Sequence, residues 1–241
     1  MSNMKKITTV LFDLDGTLIR MDQDKFIEVY FTSIINKLVG LGYDGEAMHT
    51  ALERAVVATL RNDGSLSNKE RFWTTFSEHF PGLREQIQPV IDEYYATDFI
   101  EAIEATCERY PRTREIIDTA KSLGLRTVLA TNPLFPIIAT YRRMELGGLS
   151  VEDFEYVTAY ENSSFCKPDP RYFTELLAKL NISPDECVMI GNDTRDDFSA
   201  LPLGIPVFIL TECLINRDNI DISGYPHGGF DELVAYLNSL K

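Results

Sequence analysis

A chain of 241 residues suits one large α/β domain, or a core carrying a smaller inserted one. With 44% hydrophobic and 25% charged residues it can bury a real core, which excludes a disordered protein. A formal net charge of −14 excludes non-specific binding to nucleic acid or anionic membrane, which needs a basic surface, but leaves room for a locally positive site.

Residues 7–12 (ITTVLF) are β-branched and apolar and stop at an Asp/Gly stretch, so they predict a buried parallel strand. From about residue 22 to 104 apolar residues recur at helical spacing, broken by turn signals at RNDGSLSN and FPGL, and strand-like alternation is nearly absent. This block predicts a small helical domain. Its aromatic stripe (Phe26, Tyr30, Phe31, Phe72, Trp73 and Phe76) reads as that domain's core. Tyr94 and Tyr95 fit either a core or a binding surface.

Beyond residue 105 helices and strands alternate. PRTREIIDTAKSLG predicts a helix closed by Gly124, RTVLAT a strand, and PLFPIIATYRRM a helix. EYVTAY predicts a strand and PDPRYFTELLAKLN a helix with prolines in its first turn. CVMIG is a strand, DTRDDFSALPLG a helix ending at Gly204, PVFIL a strand, and FDELVAYLNSL a closing helix. This alternation predicts an α/β fold, a Rossmann-like parallel sheet between two helical layers. The expected division is a core from residues 1–19 and 105–241, with a helical cap over 20–104. GYPHGGF (224–230) reads as a loop, and His49, His79 and His227 form no metal pattern.

Cys107, Cys166, Cys187 and Cys213 include no CxxC pair and suggest reduced thiols. The apolar run before Asp13 is too short for a signal-peptide core, and no segment reaches 18 uncharged apolar residues. The expectation is a cytoplasmic protein with no membrane span, a monomer or homodimer.

In a parallel sheet, ligands bind outside the carboxyl ends of the strands. Four polar clusters fall there: Asp13, Asp15 and Thr17; Thr131 and Asn132; Lys167 with Pro168; and Asn192, Asp193, Asp196 and Asp197. Singly, the last three have plain structural readings: a helix cap, a solvated lysine and an acidic helix start. DLDGT does not, because residues two apart on a strand share a face and two carboxylates there repel. Together the clusters make a charge-balanced site. Asp13, Asp15 and Asp193 offer hard oxygens suited to Mg²⁺. Lys167 offsets the negative charge, and Thr131 with nearby N–H groups would hold phosphate oxygens.

With those residues in view the sequence resembles the haloacid dehalogenase superfamily of phosphatases and phosphotransferases. FDLDGTL matches its first motif, LATN with Thr131 the second, CKPDPRYF with Lys167 the third, and MIGNDTRDDFSA the fourth. Members with a cap between motifs one and two carry it where residues 20–104 lie, and the 35 residues from Asn132 to Lys167 leave no room for a second large cap. The fourth motif departs from the common Gly-Asp, since Asn192 separates Gly191 from Asp193. Aligning on Gly191 would place Asn192 at the metal position. Aligning on DTRDDF places Asp193 there and Asp197 in support, and an anionic oxygen favours Asp193.

The resemblance implies a Mg²⁺-dependent phosphomonoesterase of phosphoglycolate-phosphatase type, acting on a small phosphorylated metabolite. Asp13 is the expected nucleophile, forming an aspartyl phosphate. Asp15 is the expected acid and base, binding metal through its carbonyl, while Thr131, Asn132 and Lys167 bind phosphate. The alternatives are a phosphomutase of the β-phosphoglucomutase type and a catalytically inactive binding module. Arg20 and residues 100–108 are expected to be hinges, with Arg20 a solvated hinge side chain or a contact to a substrate anion.

Overall fold

The computed structural model describes residues 6–240. In chain order the elements are β1 (Thr9–Phe12), β2 (Ile19–Met21), α1 (Gln23–Gly40), α2 (Gly45–Leu60), α3 (Asn68–His79), α4 (Arg84–Ala96), α5 (Phe99–Glu104) and β3 (Cys107–Arg109). There follow α6 (Thr113–Ser122), β4 (Arg126–Leu129), α7 (Ile137–Leu146), β5 (Tyr156–Val157), α8 (Pro170–Leu180), β6 (Cys187–Gly191), β7 (Val207–Leu210), β8 (His227–Gly228) and α9 (Phe230–Ser239). Asp22, Asp44 and Ser67 cap α1, α2 and α3 through their side chains, and Asp169 with Pro170 opens α8.

Six strands form one parallel sheet in the order β5-β4-β1-β6-β7-β8. Strand β1 is buried along its whole length. Val10 and Phe12 face one layer with Ile116, Ile117, Leu233 and Leu237 of α6 and α9. Leu11 faces the other, with Tyr172, Phe173 and Leu176 of α8. A strand covered on both faces must be apolar at every position, which is why ITTVLF does not alternate. Register sets the site: Phe12 lies beside Leu129 and Ile190, so β1, β4 and β6 end level with one another. Residues just past those ends therefore emerge together.

Strands β2 and β3 pair antiparallel, Ile19 with Arg109 and Met21 with Cys107, and the five helices α1–α5 lie between them in sequence. Phe26, Tyr30, Trp73 and Phe76 are buried in this block, as are Tyr94 and Tyr95; Phe31 and Phe72 are half-buried. The Tyr30 and Tyr95 hydroxyls meet at 2.6 Å. The rings of Phe26 and Tyr30 also pack on Phe135 of the core, at centroid distances of 5.9 and 5.3 Å. Edge-on ring pairs of this kind contribute about 0.5–1.5 kcal/mol each beyond burial. At the other end of the block, buried Asn68 donates through Nδ2 to the carbonyls of Pro133 (3.2 Å) and Phe165 (3.3 Å). Its N–H donates to Ser163, and that of Lys69 to Tyr160.

Three expected elements differ. EYVTAY pairs only over Tyr156–Val157, because β5 is an edge with β4 as its one neighbour. Beyond it the Thr158 hydroxyl bonds the Thr131 carbonyl at 2.7 Å. DTRDDFSALPLG is not an α-helix but a 3-10 segment over Asp197–Leu203. The Asp193 carboxylate takes the N–H groups of Arg195 and Asp196, and Pro202 lacks an N–H. Finally, GYPHGGF is not all loop: His227–Gly228 adds a short strand beside β7.

No helix among the described residues is long and apolar enough to cross a membrane.

Candidate active site

The Asp13 N–H is hydrogen-bonded to the Ile190 carbonyl at 2.9 Å, which carries the β1 ladder up to the residue itself. Beyond it the chain turns on the Leu14 carbonyl, which accepts the N–H groups of Thr17, Leu18 and Ile19. Gly16 takes φ +84°, and a Cβ there would stand 2.2 Å from the Asn192 amide nitrogen. This position tolerates only glycine, for backbone and space together. The Thr17 hydroxyl reaches both Asp13 Oδ2 (3.2 Å) and Asn192 Oδ1 (3.1 Å), its one proton serving either.

Lys167 is 1% exposed, and its Nζ donates to Asp13 Oδ1 at 3.1 Å and Asp197 Oδ1 at 2.7 Å. It is thus no solvated lysine. Burial pulls its ammonium pKa down, but the carboxylates of Asp13 and Asp197 outweigh that and hold it above the ordinary value. Burial is also the main reason the Asp13 carboxyl is pushed up. Lys167 pulls it back, and Asp197 and Asp15 push it further up.

Asn132 fastens the loop after β4 to its neighbours, donating to the Lys167 carbonyl (3.2 Å) and to Asp196 Oδ2 (2.9 Å). Its own Oδ1 is buried without a partner among the described residues. Buried Thr131 is held by its carbonyl, which accepts from Tyr172 (3.0 Å) and Thr158. Asp196 is half-buried, and burial pushes its carboxyl up to about 6.

Asp193 Oδ1 accepts from the N–H groups of Arg195 (2.7 Å) and Asp196 (3.1 Å), and its own N–H donates to Asp197 Oδ2 at 3.0 Å. Asn192 Nδ2 donates to the Cys213 carbonyl at 2.7 Å, and its Oδ1 shares the Thr17 hydroxyl with Asp13.

The Asp15 side chain stands apart from the lysine network. Its Oδ2 is bonded by Arg143 Nη1, and its Oδ1 is buried with no partner among the described residues. Arg143 was not singled out from sequence, yet a signal exists. In α7 the buried positions are Ala139, Thr140, Arg143 and Met144, so a charge sits on the helix's apolar face. Arg20 is exposed and faces Glu108 at 3.7 Å across the β2–β3 pair, so its side chain is solvated.

The family model for the haloacid dehalogenase-like hydrolases matches residues 7–202. The chain belongs to this family. It is 24% identical over 212 residues to a phosphoglycolate phosphatase of Yersinia pestis, covering 88% of this chain and 84% of that protein. To a glyceraldehyde 3-phosphate phosphatase of Pyrococcus furiosus it is 24% identical, over 80% of this chain and 76% of the relative. To pyrophosphatase PpaX of Oceanobacillus iheyensis it is 26% identical, over 79% and 77%. Among solved structures, a predicted phosphatase from Clostridium acetobutylicum superposes with a TM-score of 0.59 at 18% identity, covering 98% of this chain and 100% of that one. That likeness bears on the fold alone.

The family's metal can be tested against these side chains. Asp13 is a buried carboxylate facing two more, and its pKa stays raised with the Lys167 ammonium in contact. Such a cluster is one cation short. No three His, Cys, Asp or Glu side chains among the described residues group as metal ligands, and the Asp15 carboxylate is turned to Arg143. The Asp13 and Asp193 carboxylates and the Asp15 carbonyl are hard oxygen donors of the kind a divalent ion takes.

Proposed function

We propose that the protein is a Mg²⁺-dependent phosphomonoesterase of small phosphorylated metabolites. The observation that carries this reading is the buried Asp13–Lys167–Asp197 network at the level ends of β1 and β6. An ammonium held between two carboxylates keeps Asp13 in place and offers positive charge to an incoming phosphoryl group. The bound Mg²⁺ would supply further positive charge for the phosphoryl oxygens and favour the anionic form of Asp13.

Asp13 attacks phosphorus through a carboxylate oxygen, and the bond from phosphorus to the leaving oxygen breaks. That oxygen keeps the electron pair and takes a proton from Asp15, so an alcohol departs. In the second half a water gives its proton to Asp15 and attacks the aspartyl phosphate. The bond from phosphorus to Asp13 breaks, inorganic phosphate leaves, and both aspartates return to their starting state. Thr131 and Lys167 bind phosphate, Asn132 contributes through its backbone N–H because both side-chain N–H protons are engaged, and Asp197 fixes Lys167. Asp193 is the metal ligand rather than Asn192: it offers an anionic carboxylate with one oxygen anchoring its own turn, whereas Asn192 offers only a neutral amide oxygen that already faces the Thr17 hydroxyl. Residues 20–104 act as the cap on a core of 1–19 and 105–241, excluding water and shaping substrate choice. Four cysteines without a disulfide fit a reducing cytoplasm.

The test is phosphate release from a panel including phosphoglycolate, glyceraldehyde 3-phosphate and pyrophosphate, with Mg²⁺ present or chelated. Metal-dependent release that Asp13→Asn abolishes supports the reading. Silence across the panel, or an active Asp13→Asn protein, overturns it.

A further inference from the structure

We propose that Arg143 is the positioning residue of Asp15, holding Oδ2 so that Oδ1 is the oxygen presented to the leaving group. The proposal rests on the phosphatase reading above and assigns a role to a residue outside the four motifs.

Arg143 is 1% exposed. Its guanidinium is fixed from several sides. Nε donates to the Ala139 carbonyl at 3.3 Å, Nη2 to Thr140 Oγ1 at 3.3 Å, and the group lies 4.8 Å from the centroid of the Phe135 ring. These contacts leave Nη1 aimed at Asp15 Oδ2. An oxygen accepting from a guanidinium, which never loses its proton, is occupied as an acceptor. The other carboxyl oxygen, Oδ1, is buried and unpartnered among the described residues. A native fold rarely leaves such an atom unsatisfied without a use for it. As the one unengaged oxygen, Oδ1 can face the leaving group in the first half-reaction and water in the second.

A purely structural ion pair is a poor account of the contact. Taking a guanidinium out of water costs several kcal/mol, and an apolar residue on the same face of α7 would avoid that cost. The Phe135 ring under Arg143 is also the ring on which Phe26 and Tyr30 pack. Asp15 is thereby linked through two side chains to the helical block, and its orientation depends on how that block is seated.

The test separates leaving groups. p-Nitrophenolate departs without being protonated; an alkoxide does not. Arg143→Lys and Arg143→Met should slow hydrolysis of an alkyl phosphate about 100-fold, the low end of general-acid contributions, and p-nitrophenyl phosphate less than about 5-fold. Thr140→Val, which removes one bond to the guanidinium and keeps the charge, should give the same bias at about 3- to 10-fold. In an Asp15→Asn background, Arg143→Lys should change the alkyl phosphate rate no further. Equal losses on both substrates, or an additional loss beside Asn at position 15, would overturn the proposal. If the wild-type protein hydrolyses neither substrate, the phosphatase reading itself fails, an outcome distinct from the loss of the leaving-group bias.

Discussion

The ammonium of Lys167 lies 3.1 Å from Asp13 Oδ1, although 154 residues separate the two in sequence. Both side chains are almost wholly withdrawn from water, and the same ammonium meets Asp197 at 2.7 Å. One cation between two carboxylates leaves a net negative site. That balance governs its stability and its response to pH.

Lys167→Met should destabilise the protein by about 3–5 kcal/mol, since it strands two buried carboxylates. Chemical denaturation at neutral pH measures this. The loss should shrink as pH falls and the Asp13 carboxyl, already raised with Lys167 in contact, takes up its proton.

The metal-free protein should become less stable as pH rises from about 4 to about 7. Asp13 and Asp196 have folded-state pKa values above their unfolded ones, about 7 and about 6, chiefly through burial. Across that window the native state binds more protons than the unfolded chain, so the slope of stability against pH is negative. Above the raised values the loss is complete. Asp13→Asn should flatten the curve, and saturating Mg²⁺ should offset the loss most at high pH. Urea midpoints across the range provide the check.

Gly16→Ala should abolish phosphate release and cost about 1–3 kcal/mol, because the left-handed backbone and the approach of Asn192 both exclude a Cβ. An active, equally stable variant would show that this turn is not rigid. Activity and thermal unfolding of the one variant decide it.

Asp193→Asn should weaken Mg²⁺ affinity by about tenfold or more, while Asn192→Ala should shift it much less. Calorimetric titration of each variant with Mg²⁺ ranks the two positions. A larger effect at Asn192 would reverse the assignment.

Asn68→Ala should cost about 1–3 kcal/mol by stripping donors from the Pro133 and Phe165 carbonyls. Amide hydrogen exchange should rise first at Asn68 and Lys69, whose N–H groups are bonded to the core. Unchanged exchange there would mean the backbone bonds suffice.

Sequence alone reached the sheet, the helical insert and the four strand-end clusters, because local patterns encode them. ITTVLF must be a strand buried on both faces, and PDPRYFTELLAKLN announces its helix by its first-turn prolines. It misjudged DTRDDFSALPLG because its apolar spacing looks helical, whereas the Asp193 carboxylate diverts two N–H groups and Pro202 removes a third.

The chain's residue types determined which chemistry is available: carboxylates after β1 and β6, a lysine after β5, hydroxyl and amide after β4. Only the tertiary structure decided which of them meet. Sequence put Lys167 in the site by motif but not which carboxylates it would meet, Asp13 and Asp197, and Arg143 looked like one more helical arginine until packing turned it onto Asp15. The physical reason is that a side chain's partners across a parallel sheet are set by strand order and register. Those depend on the packing of segments more than a hundred residues apart, which no local pattern carries.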